Sequence, residues 1–127
     1  MFCGFCEGNM ALVLVAHADA RVRDELAWYM REQADTPVSI LRTSSSRVAK
    51  RVLRRMRAVG LVVTGREGLD IAAAAKRRHV AVLMVDNPVP LTDRARRCGV
   101  NVMLSLPINP GALADRVHEL LALAEGR

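Results

Sequence analysis

GVNVMLSLPINP, residues 99–110, runs from a glycine through a short apolar strand into a Leu-Pro pair and then into Asn109-Pro110. Asn109 offers a side-chain oxygen to cap a helix, and Pro110 suits its first position, where the missing N–H costs nothing. The stretch therefore reads as strand, tight turn and helix start: the end of one β/α unit and the opening of the last helix. Working back along the chain, the same alternation recurs. The patterns predict strand 11–16, helix 20–32, strand 37–42, helix 46–57, strand 60–64, helix 68–79, strand 80–86, a short helix 91–98, strand 100–105 and helix 110–124. Asp19 and Ser44 to Ser46 are further candidate N-caps. Four of the strands are β-branched or Leu-rich and almost continuously apolar, as in a parallel sheet covered on both faces. The last helix carries Leu113, Val117, Leu120 and Leu121 at helical spacing, an inner stripe. The expected architecture is α/β: a doubly wound, five-stranded parallel sheet in the order 2-1-3-4-5 with helices on both faces.

A chain of 127 residues that is 51% hydrophobic suits one domain with its own core, placed at 10–125 behind an N-terminal tail at 1–9. No apolar run approaches the length of a membrane span, and the N-terminus has neither a basic region nor a small-residue cleavage site. The expectation is a cytoplasmic protein with no membrane partner. Three cysteines, an odd and small number, argue against a disulfide framework. The net charge is +6, and its distribution is uneven: from Arg42 to Arg97 there are fourteen Lys/Arg against four Asp/Glu. A mid-chain surplus of this kind points toward an acidic partner or nucleic acid. Of the 19 basic residues 17 are arginine, which fits equally well with a genome that favours Arg codons.

In a doubly wound sheet ligands bind at the carboxyl ends of the strands. That rim holds His17, Ala18 and Asp19, then Thr64, Gly65 and Arg66, then Asp86 and Asn87, then Ser105 and Leu106. His17, Asp19, Thr64 and Asp86 contain the types needed for a base, an orienter and a nucleophile, yet no oxyanion motif accompanies them. They are read as capping and solvent-exposed residues, with no catalytic site and no enzyme. HADAR (17–21) lacks the Ser/Thr/Gly-rich loop that holds a flavin phosphate. The tail MFCGFCEGNM carries a CxxC, Cys3 and Cys6, but it precedes the first strand, whereas a redox CxxC sits at a helix N-terminus that lowers the thiol pKa. With His79 and Cys98, which fall at the same end of the sheet, these cysteines form a candidate zinc set; the reading adopted is a loose tail, a buried Cys98 and no metal or cofactor.

CGVNVMLSLPINPGAL (98–113) resembles the end of bacterial response-regulator receiver domains, which commonly read Ala-Gly-Ala, a short strand, Lys-Pro and a helix-opening pair. Gly99, Pro107, Asn109 and Pro110 fall on that pattern. VLVAHADARVRDEL (13–26) has the family's first strand, loop and Val-Arg spacing, and EGLDI (67–71) resembles the opening of its third helix; the likeness covers residues 10–124. The resemblance implies a chemotaxis-regulator fold with a cis Pro107. It also implies where the phosphoryl chemistry would sit. The Mg²⁺-binding acidic pair falls on His17 and Ala18, and the phospho-acceptor on Thr64, or on Gly65 if the register shifts by one. The phosphoryl-sensing Ser/Thr falls on Asp86 and the switch lysine on Leu106. The loop after Thr64 is short and lacks Met-Pro-Gly. Mg²⁺ needs hard oxygen ligands, a threonine hydroxyl needs an adjacent base, and Leu106 makes no ion pair. The expectation is a degenerate pseudo-receiver, its degenerate pocket made of His17, Ala18, Asp19, Thr64, Asp86, Leu106 and Pro107.

The helix at 46–57 is expected to bury Val48, Ala49, Val52, Leu53 and Met56 and to expose Arg47, Lys50, Arg51, Arg54, Arg55 and Arg57. Like charges at i, i+4 (47/51, 50/54, 51/55) cost a helix about 0.2–0.5 kcal/mol each, so the row does not serve the fold. Receivers dock partners or dimerise through the fourth helix, fifth strand and fifth helix, here around Asp93, Arg94, Arg97, Met103 and Arg116. The first functional reading is a phosphorylation-independent module for protein interaction or regulatory signalling, its partner an acidic protein surface or a second copy. The alternative is a nucleic-acid-binding or nucleoid-associated protein using the basic surface, against which stand an aromatic content of 3% and the lack of a helix-turn-helix.

Overall fold

The strand Ala11–Ala16 (β1) lies inside a parallel sheet, its residues from Leu12 onward buried, because the chain crosses from one side of it to the other. The computed structural model describes residues 11–33, 38–87 and 93–125. After β1 come helix Ala20–Gln33 (α1), strand Val38–Thr43 (β2), helix Ser46–Arg55 (α2), strand Val59–Thr64 (β3) and a 3-10 turn at Arg66–Gly68. Helix Leu69–Arg77 (α3), strand Ala81–Asp86 (β4), helix Asp93–Arg97 (α4), strand Val102–Ser105 (β5) and helix Pro110–Glu125 (α5) complete the order. The sheet order is β2-β1-β3-β4-β5, all parallel, as the sequence predicts.

Alternate strand residues feed two cores. Val13, Val15, Leu61, Val63, Leu83 and Val85 pack under α1 and α5, where Val22, Leu26, Met30, Leu113, Val117, Leu120 and Leu121 are buried. Leu12, Leu14, Val62, Val82 and Met84 pack under α2, α3 and α4 through Ala49, Leu53, Ile71, Ala72, Ala75 and Ala95. Every crossover helix runs antiparallel to the strands, so all helices start at the carboxyl rim and end at the opposite rim. The starts are capped from the side chains of Asp19, Ser45 and Asn109. The ends of α3 and α4 close with paired bonds: Val80 N–H to Ala75 O with His79 N–H to Lys76 O, and Val100 N–H to Ala95 O with Gly99 N–H to Arg96 O. This is the Schellman pattern, which requires a left-handed residue after the helix; here these are His79 (φ 58°) and Gly99 (φ 106°).

Two expectations about helix 46–57 are corrected. It ends at Arg55, and Met56 is extended, because β3 starts at Val59 and the chain must turn before it. Val48 and Met56 are exposed (39% and 40%), not inner. Ala49 and Leu53 occupy the buried line of α2, with Val52 partly buried against the same core, and Val48 lies off that line. No helix among the described residues is long and apolar enough to cross a membrane.

Candidate functional site

His17, Thr64 and Asp86 stand at the carboxyl ends of three adjacent strands, and all three are buried, contrary to the solvent-exposed roles expected of them. The reason is that each is consumed by a neighbouring strand end. The imidazole of His17 accepts the Asp19 N–H at Nδ1 (3.1 Å) and donates from Nε2 to Val85 O (2.9 Å). Those two bonds assign one tautomer, the neutral ring protonated on Nε2. Arg23 Nη1 donates to His17 O (2.7 Å), and Asp19, exposed, accepts Arg21 N–H at 2.9 Å as the cap of α1. Ala18 between them is exposed and supplies no ligand.

The Thr64 hydroxyl donates to Ala16 O (2.8 Å), across the β1–β3 pair. From there the chain turns at once into the 3-10 turn, closed by Gly68 N–H to Gly65 O (2.9 Å), and Gly68 lies against the Thr64 hydroxyl so closely that no Cβ fits there. The space between the rim groups is faced by Gly65: a Cβ on it would stand 2.8 Å from His17 Nε2 and 3.2 Å from Asp86 Oδ2. Asp86 closes the other side. Its Oδ2 accepts Arg66 N–H (2.8 Å), its Oδ1 accepts Asn87 N–H (2.8 Å), and the Arg66 Nε lies 3.2 Å from Oδ1. Burial works against the charge on Asp86, but the two amides and the Arg66 guanidinium outweigh it and hold the carboxyl below its ordinary value.

That shift has a sign. A carboxyl whose folded pKa is depressed contributes stability that is complete above the unfolded value of 3.8 and is lost as pH falls through the folded one. Asp86→Asn is expected to cost about 1–3 kcal/mol at pH 7, the worth of charge-assisted bonds to buried donors. The gap to the parent, measured by urea unfolding, should narrow at pH 3. A gap of equal size at both pH values would show that the carboxylate charge is not what holds the loop.

No family model and no curated protein matches this sequence. Solved structures do. A receiver domain protein from Methanospirillum hungatei superposes with a TM-score of 0.80 at 15% identity, over 92% of this chain and 98% of that one. A chemotaxis response regulator of Vibrio cholerae gives 0.75 at 15% identity, over 87% and 98%. A putative pilus assembly-related protein from Burkholderia pseudomallei gives 0.74 at 22% identity, over 91% and 92%. The fold is that of a receiver domain.

Receiver domains use Mg²⁺, and the rim groups of this receiver fold do not fit it. Both nitrogens of His17 are engaged, Ala18 has no side-chain donor atom, Asp19 is turned to cap α1, and both oxygens of Asp86 accept N–H groups. Mg²⁺ calls for oxygen ligands in near-octahedral array. Among the described residues no group of three His, Cys, Asp or Glu converges to hold a metal. Leu106, half-buried, packs into the core beneath α1 and α5, and its peptide to Pro107 is cis, as the resemblance implies. Cys3 and Cys6 lie outside the described residues. His79 is exposed, the left-handed residue that ends α3, and Cys98, expected to be buried, is half-exposed in the turn after α4, because the Schellman turn carries the chain outward before Val100 re-enters the core.

Of the residues expected to meet a partner, Arg47, Arg51, Arg54, Arg55, Arg94 and Arg97 are exposed. Lys50 departs from that set. It turns toward α3 and pairs with Asp70 (3.2 Å), whose carboxyl is held low first by the Ser46 hydroxyl at 2.6 Å. Arg116 pairs with Glu119 (3.0 Å), and Met103 packs half-buried against the core under α2, α3 and α4. The sequence reading placed Arg66 on the rim without a role and overlooked Gly68. Their signal was the length of the segment from Thr64 to Leu69: four residues force a turn tight enough to bring an amide onto Asp86 and a glycine onto Thr64.

Proposed function

We infer that the chain is a phosphorylation-independent pseudo-receiver, a module for protein interaction or regulatory signalling. The observation that carries this reading is Gly65. Its missing side chain would point between His17 and Asp86, and this reading puts the acceptor carboxylate of a receiver at that position. Thr64, one position earlier, directs its hydroxyl away to Ala16 O. Around Gly65 the groups expected to bind metal, sense the phosphoryl group and relay the switch are His17, Ala18, Asp86 and Leu106, and the first and third are locked into hydrogen bonds of their own. A pocket so satisfied favours one conformation, which suits a docking module that works without a covalent signal. The pilus-assembly description of one similar structure supports use of this fold outside chemotaxis.

Intact mass measured after incubation with acetyl phosphate and Mg²⁺ tests the reading, and no added phosphate is expected. Gly65→Asp alone should also remain unmodified, since it lacks the acidic pair and the lysine. Adding His17→Asp, Ala18→Asp and Leu106→Lys to it should be required before any phosphate appears. One phosphate on the wild-type chain, removed by hydroxylamine, would sink the pseudo-receiver assignment.

A further inference from the structure

The mid-chain basic surplus becomes one-sided only through the fold. Helices α2, α3 and α4 lie on one face of the sheet and carry ten Lys/Arg against two Asp/Glu; α1 and α5, on the other face, carry four against six. Parallel topology also brings the ends of the three helices to one rim, and each ends in cations: Arg54 and Arg55, Lys76 and Arg77, Arg96 and Arg97. The ends are tied together, Arg78 Nη1 donating to Arg54 O (2.9 Å) and Lys76 Nζ to Arg97 O (2.8 Å). Among the described residues Lys50 is the one cation of these helices with a carboxylate partner. Between the ends of α3 and α4 lies a recess of about 280 Å³ lined by Lys76, His79, Arg96 and Asn101.

Cations in a last turn complement the helix dipole, which accounts for some of them. The like-charge row along α2 works against its helix and is left for a partner. A second copy is poorly matched: its α1/α5 face has an acidic excess of only two. The three helices also carry no Phe, Tyr or Trp, so they have nothing on which to stack the bases of a single strand. What the face does match is a regular line of phosphates, the footprint of sequence-independent duplex binding. We propose that the α2/α3/α4 face binds the phosphate backbone of duplex nucleic acid, with the recess at the ends of α3 and α4 seating one phosphate. This goes beyond the pseudo-receiver reading and stands on residues outside the rim pocket, so neither phosphorylation outcome bears on it.

Fluorescence anisotropy of the full chain with a labelled random-sequence DNA duplex, titrated across salt concentrations, tests the proposal. Micromolar binding at 100 mM salt is expected, with log affinity falling against log salt at a slope of about −4, four to five phosphates at about 0.9 each. Arg55→Gln, Arg77→Gln and Arg96→Gln combined, one exposed arginine from each helix end, should weaken binding at least tenfold and flatten the slope by about 2–3. Arg21→Gln, Arg31→Gln and Arg116→Gln combined remove the same charge from the other face and should change affinity less than threefold, with circular dichroism checking the fold of both variants. No binding at 50 mM salt, or equal losses in the two triple variants, would overturn the proposal. So would poly-L-glutamate binding as tightly as the duplex, which would make an acidic protein the occupant.

Discussion

Gly68→Ala is expected to destabilise the protein by about 2–4 kcal/mol, more than overpacking at an adaptable site costs. The added methyl would land on the Thr64 hydroxyl oxygen, 3.0 Å from Thr64 Cβ and 3.1 Å from its Cγ2. Neither partner has room to give. Thr64 is 1% exposed and its hydroxyl is bonded to Ala16 O, while Gly68 is fixed by the bond of its N–H to Gly65 O and by Arg66, whose amide holds Asp86. The clash therefore pushes the whole turn off the rim. Thr64→Ala removes the offending oxygen and Cγ2 and costs about 1–3 kcal/mol alone, since Ala16 O loses its partner. The two substitutions together should cost less than their sum by about 1–3 kcal/mol, a coupling that urea unfolding of the four proteins in the cycle would measure. Strict additivity would show that the turn is not seated on Thr64.

Gly99→Ala is expected to cost about 2–4 kcal/mol through two effects at one atom. The backbone at φ 106° is one that side-chain-bearing residues rarely adopt, and a Cβ there would stand 2.8 Å from Lys76 Cβ and 3.0 Å from Ala72 O. His79 ends α3 with the same hydrogen-bond pattern but carries a side chain at φ 58°. There the left-handed conformation costs about 1–2 kcal/mol without a clash, so His79→Gly should stabilise the protein by about 0.5–1 kcal/mol, part of the gain being offset by the extra freedom of glycine in the unfolded chain. Thermal unfolding of the two variants should therefore move in opposite directions. A destabilised His79→Gly would mean that the imidazole contributes packing or bonding that outweighs its backbone strain.

The amino-acid sequence by itself determined the parts of this protein that depend on near neighbours. Nearly continuous apolar runs made β1, β3 and β4 strands buried on both faces, and the stripe Leu113, Val117, Leu120, Leu121 placed α5 against the sheet. Asp19, Ser45 and Asn109 marked helix starts because a cap reaches only two or three residues along the chain. From five such β/α units with short connections, the strand order followed. The state of the rim was beyond that reach. His17 is paired with a carbonyl 68 residues away, Thr64 with one 48 away and Asp86 with an amide 20 away, so burial and tautomer were set only when the strand ends met. That Gly65 rather than Thr64 looks between His17 and Asp86 was likewise a matter of space, since adjacent residues at a strand end point to opposite faces. The arginines were visible from the start; that they share one face was decided by parallel topology, which puts α2, α3 and α4 on the same side of the sheet and brings their last turns to one rim.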